Sequence, residues 1–172
     1  MTTTDSPIRL GAADIHALAL QAQQDNRLLQ QLFATTLSGQ GREARYAAWT
    51  LTHLPPSANP AIAAHRDPLV TLALTTPDTS LLRLTLNLLA RLTWQTDNIR
   101  TDLLDFCLAA IPNPRQPYGV RALCIKLAWQ QCRHYPELAA ELRQTLLLLD
   151  PADLKPGLKH TWAQTLRLIP TP

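Results

Sequence analysis

Four bases stand at equal intervals along the chain. Arg45, Arg83, Arg121 and Lys159 are each 38 residues from the next. A cation repeated at one interval has two chemical uses. It pairs with a carboxylate inside a packed array, or it aligns with its fellows to meet a polyanion. Carboxylates are at hand for the first use, because Asp67 precedes Arg83 by 16 residues and Asp105 precedes Arg121 by 16. A structural ladder of Arg45, Arg83, Arg121 and Lys159 with Asp67 and Asp105 is therefore expected. In it Arg83 and Arg121 are mostly buried, each with a carboxylate within about 4 Å. Asp78 and Asp153, in the turns, are rival partners.

Other reactive residue types do not gather into a reaction centre. His16, His53, His65, His134 and His160 are scattered, with neither a His-Glu-x-x-His nor a Cys-x-x-Cys spacing, so no metal site is expected. With only 5 Gly, the chain has no phosphate loop of the Walker or dinucleotide type, and no Gly-x-Ser-x-Gly elbow. Asp102 and Asp105 read as solvated or helix-dipole acids rather than a general acid/base pair. Catalytic, cofactor and metal residues are thus expected to be absent, and the protein is expected not to be an enzyme. Cys107, Cys124 and Cys132 are an odd, sparse set, unlike a disulfide framework. The first residues lack the basic and apolar regions of a signal peptide, and no apolar run approaches the roughly 20 residues of a membrane span. A cytoplasmic protein with reduced thiols is expected.

Helices must position the four bases. The 172 residues contain 34 Leu and 23 Ala against 2 Val and 7 Ile, a composition that favours helices over strands. A hydrophobic fraction of 46% rules out disorder through lack of core formers. Around each base the same register returns. Ala44, Leu82, Val120 and Leu158 precede it by one, Ala48, Leu86, Cys124 and Trp162 follow by three, and Leu51, Leu89, Leu127 and Thr165 follow by six. These offsets share one face of a helix. An earlier helix in each repeat carries the core column Leu32, Val70, Leu108 and Leu146. Its starts are expected near Asn59-Pro60, Asp97-Asn98 and Tyr135-Pro136. The expected fold is all-α: a right-handed α-solenoid of about four two-helix repeats, with an N-terminal capping helix over 12–23 and about nine helices in total. One domain over 1–172 is expected, with 1–10 as a flexible tail.

A helical pair whose second helix opens on a Val-Arg or similar step resembles a HEAT repeat, over about Asn26 to Leu168. More narrowly, Leu103-Leu-Asp-Phe-Cys-Leu108, Tyr118-Gly-Val-Arg121-Ala-Leu and Tyr135-Pro-Glu-Leu138 resemble a small bacterial HEAT-like family. Its members sometimes bear the label adenylosuccinate lyase. This chain lacks the Ser-Ser-x-Met-Pro-x-Lys loop of such lyases, its sole methionine being Met1. No catalytic residue carries over from the resemblance.

The two helix sets differ in charge. Nine bases stand against two acids in the second helices and their exits, whereas the first helices of the last three repeats hold three bases against six acids. Second helices line the concave side of such stacks. Tyr46, His53, Arg91, Lys126, Trp129 and Arg167 are therefore the expected partner-binding residues. The expected function is a HEAT-like binding module for a macromolecule, a protein first. The alternative is nucleic acid, because DNA alkylation-repair glycosylases share this kind of fold.

Overall fold

The computed structural model describes residues 9–171. All regular elements among them are helical: α1 (Ala12–Gln24), α2 (Asn26–Leu37), α3 (Gly41–Thr52), α4 (Asn59–Ala63), α5 (Arg66–Thr75), α6 (Thr79–Ala90), α7 (Thr101–Ala110), α8 (Tyr118–Cys132), α9 (Pro136–Leu147) and α10 (Pro156–Leu168), with two 3-10 turns at Pro56–Ala58 and Pro151–Asp153. The chain is an α-solenoid of helical repeats. The pairs are α2 with α3, α5 with α6, α7 with α8, and α9 with α10, α4 leads into α5, and α1 covers α2 and α3. Second helices pack side by side, α3 on α6, α6 on α8 and α8 on α10, whereas successive first helices meet at few points. Such uneven spacing belongs to a stack that bends toward its second-helix layer. Most of the expected tail, residues 1–8, lies outside the described residues; Arg9 and Leu10 are placed, and Leu10 N donates to Tyr46 Oη at 3.3 Å.

Turn chemistry explains where the helices start and stop. Asp25 caps α2, its carboxylate accepting from Leu28 N, and Asp78 caps α6 through Leu81 N. Gly39 and Gly41 both take φ of 65°, a left-handed backbone that lets α2 end and α3 begin within a few residues. Ten helices rather than nine result because the first helix of the second repeat is broken. Pro60 and Pro68 each lack an N–H and each fit only a first helical turn, so α4 and α5 start separately. Asn59-Pro60 does open α4, but Asp97-Asn98 opens no helix. Asn98 accepts from Gln95 N and donates to Thr93 O, closing a turn after α6, and α7 begins at Thr101 with Arg100 at its N-cap. Pro136 does stand in the first turn of α9.

The register columns form the core. Leu51, Leu89 and Leu127 are wholly enclosed, as are Leu86 and Cys124, and one apolar cluster runs from Ala19 to Ile169 through every repeat. Two column members are only half-buried, Leu108 and Trp162. Trp162 is tied down by its indole, which donates to Leu146 O at 2.9 Å. Trp94 is fully enclosed, donates to Leu89 O, and has the Arg66 guanidinium 5.3 Å from its ring centroid. All three cysteines are buried and unpaired. Hydrogen bonding to Cys124 and desolvation push the Cys107 thiol well up; burial pushes that of Cys132 up to about 12, and the Glu141 charge adds to it.

Replacing Leu86 by Ala, in the wall shared by adjacent repeats, lowers unfolding free energy by about 2–5 kcal/mol in a denaturant titration. The same change at Leu148, which is 74% exposed, costs less than about 0.5 kcal/mol. A second outcome concerns pH. Native Cys132 keeps its proton above the ordinary thiol value of 9.0, whereas the unfolded thiol ionises there. Its contribution is complete below pH 9 and is lost as pH rises toward 12. Between pH 8 and pH 10 the wild type should therefore lose about 1 kcal/mol more stability than Cys132→Ala, measured as urea midpoints at the two pH values.

Candidate functional site

The repeated bases meet carbonyls and solvent more than carboxylates. Arg121 is buried as expected, but its Nε donates to Ile111 O at 2.7 Å, the carbonyl that closes α7. Arg83 is exposed, its stem lying across Gly119, and Lys159 is exposed as well. Arg45 Nε faces the Asp78 carboxylate at 3.5 Å, without an aligned hydrogen bond. The expected ladder is thus corrected at Asp67 and Asp105. Both lie exposed on first helices, away from Arg83 and Arg121. Asp67 instead meets Arg100, which binds Asp67 Oδ1 at 2.9 Å and Asp102 Oδ2 at 2.7 Å. That pairing raises the Arg100 pKa and lowers that of Asp102, the hydrogen bond between them being the largest cause for each. The physical reason is geometric. A residue 16 positions before the base belongs to the first layer's outer side, while the carbonyls ending a helix lie at the seam where an arginine can reach them.

Arg91 likewise departs from its expected place on a binding face. It sits at the C-cap of α6 and reaches back one repeat. Its Nε and Nη2 both donate to Asn59 Oδ1, at 3.0 and 2.7 Å, and Nη2 also donates to Pro55 O at 3.0 Å. Nη1 lies 3.4 Å from Leu51 O and 3.5 Å from Thr52 O, the last carbonyls of α3. Asn59 returns a bond, donating to Arg91 O. The cage holds no carboxylate, and desolvation lowers the Arg91 pKa. Dipoles at the end of α3 hold the cation instead. Arg91 is a clasp between repeats, half-buried and occupied.

The remaining expected residues divide. His53, Lys126 and Arg167 are exposed; Tyr46 and Trp129 are half-buried, and Trp129 leans on the core. His53 Nδ1 donates to Trp49 O at 3.0 Å. Only Tyr46 joins a concave site. A hollow of about 440 Å³ lies between α3 and α6, lined by Arg9, Arg42, Arg45, Tyr46, Trp49, Ser80, Arg83 and Leu84. Residues 42, 45, 46 and 49 share one face of α3, and 80, 83 and 84 share the matching face of α6. Positions 42, 45 and 46 correspond to 80, 83 and 84 in the repeat. Four arginines therefore line one space, and Asp78, 3.5 Å from Arg45 Nε, is the carboxylate beside one of them. Arg42 Nη1 is enclosed and has no hydrogen-bond partner among the described residues.

Sequence reasoning missed Arg9 and Arg42 here. Arg42 could have been found, because it lies three residues before Arg45 on the same helical face. Arg9, preceding the first helix and outside the repeat, left no signal. The helices of the second layer carry seven bases and one acid, Glu43, whereas α2, α4, α5, α7 and α9 carry three bases and five acids. No group of three or more His, Cys, Asp or Glu able to hold a metal occurs among the described residues. No helix among them is long and apolar enough to cross a membrane.

The family model of the HEAT repeat domain matches residues 7–169. The chain belongs to the HEAT repeat family. No curated protein and no solved structure matches it. The HEAT repeats account for the two-helix units, and their second layer carries the basic hollow.

Replacing Arg91 by Met keeps most of the stem while removing the donors. Unfolding free energy should fall by about 2 kcal/mol in urea, since two helix-end carbonyls and Asn59 lose their partner. Arg83→Met, at an exposed position, should change it by less than about 0.5 kcal/mol.

Proposed function

We propose that this HEAT repeat protein is a non-enzymatic binding module whose second-helix face takes an acidic segment of a partner protein. The observation that carries this reading is the separation of charge between the two helix layers. Lys126, Lys159 and Arg167 are exposed on α8 and α10, and Arg42, Arg45 and Arg83 continue the same sign on α3 and α6. A repeat stack offers an extended surface along which a chain can lie, and one sign of charge steers an oppositely charged chain onto it. Tyr46 and Trp49 beside the arginines favour a second reading, a single-stranded nucleic acid stacked on aromatic rings.

Fluorescence anisotropy with a labelled Glu-rich peptide and with a labelled single-stranded oligonucleotide separates the two. The peptide should bind and weaken as salt rises. The double variant Lys126→Glu/Arg167→Glu should weaken it by about tenfold or more, through like-charge repulsion along the face. Arg27→Glu, exposed on α2, should leave it unchanged. Tight oligonucleotide binding with no peptide binding would transfer the function to the second reading.

A further inference from the structure

The hollow between α3 and α6 has a property that the rest of the basic face lacks: its cations converge. Arg9, Arg42, Arg45 and Arg83 arrive from three separate segments and line one space of about 440 Å³. Lys126 and Arg167, by contrast, are exposed and do not line it. We propose that this hollow is a recognition site for a phosphorylated side chain on the partner protein, resting on the protein-binding role given above.

The chemistry of the donors selects the ligand. A guanidinium is planar and donates in a fork, so several around one point suit an anion with three acceptor oxygens and nearly two charges. One carboxylate offers two oxygens and one charge, and Asp78 already supplies that much, 3.5 Å from Arg45 Nε. Four cations against that single partner leave an excess that a second plain carboxylate would not fill. Arg42 Nη1 is enclosed with no acceptor among the described residues, so one of the lining arginines keeps an uncommitted donor. Arg42 and Ser80 also stand in the first turns of α3 and α6, whose helix dipoles favour a negative group at that end. Tyr46 and Trp49 line the space beside the arginines and give it an aromatic wall. The hollow lies in the layer that carries the extended basic face, so an acidic chain crossing that face brings its modified residue to the arginines.

Calorimetric titration with three probes tests the assignment: an acidic peptide carrying one phosphoserine, the same peptide with serine, and a 5′-phosphorylated single-stranded oligonucleotide. The phosphopeptide should bind about tenfold or more tightly than its serine form. Arg42→Gln/Arg83→Gln should abolish that preference while Arg167→Gln, outside the hollow, keeps it. Arg83→Gln alone, at an exposed side chain, should reduce the preference and serves if the double variant fails to fold by circular dichroism. Equal binding of the two peptides would overturn the phosphate site and leave the acidic-partner role standing. Binding of neither peptide would overturn both. Tighter binding of the oligonucleotide than of the phosphopeptide would give the hollow to nucleic acid and overturn the proposal.

Discussion

Leu51, Leu89 and Leu127 are wholly enclosed, and no two-helix unit could enclose them by itself. A pair of helices covers one side of each apolar stripe, and the other side needs the next pair. Nearly all else follows from this constraint. The interval of 38 residues is what returns an apolar face to the same orientation at the next unit. Second helices must lie side by side, and α8 is enclosed by α6, α7, α9 and α10. That enclosure accounts for the burial of Arg121, Gln131 and three of the helix's flanks without any regular polar stripe. It also fixes which surfaces remain for binding, because only the outer sides of the two layers stay in contact with water.

Polar groups at the seams follow a rule of their own. Helices that end against another helix bring carbonyls into a place where water is scarce, and those acceptors require donors. Arg91 supplies them at the end of α3, Arg121 at the end of α7, and Gln130 reaches Ala90 O at the end of α6. The buried Gln131 accepts from Arg100 N at the start of α7. An interior acid in place of these carbonyls would add a second ion to desolvate. The seam uses neutral dipoles and avoids that cost.

The sequence made the fold legible because helix pairs, columns and turns all carried one period. The starts and stops at Asp25 and the paired glycines were readable from local chemistry, whereas Asp78 read as a partner for a base and proves to cap α6 as well. The break between α4 and α5 was written in Pro60 and Pro68, but attention to the 38-residue register hid it. Side-chain destinations were less legible. Asp67 and Asp105 had suitable spacing from Arg83 and Arg121, yet spacing along the chain does not say on which side of a layer a residue emerges. Arg91 looked like a free base because its partners, Asn59 and three carbonyls, carry no charge to reveal them. The hollow depends on Arg9 as well, which precedes the repeats, and no periodic argument reaches such a residue.

The joints between repeats are unequally fastened. Between the first and second, Arg91 reaches the last carbonyls of α3 and Pro55 O; between the second and third, Gln130, His134 and Tyr135 reach Ala90, Trp94 and Thr96. Position 129, the counterpart of Arg91 one repeat later, is Trp129, which cannot bind a set of carbonyls in that way. Across the last joint, among the described residues, the polar contact is Lys155 against the Tyr118 ring at 5.9 Å, beside apolar packing. Nonpolar contact tolerates sliding that directional bonds resist. The last joint is therefore held by the packing of α10 on α8, whereas the first two add directional bonds to theirs.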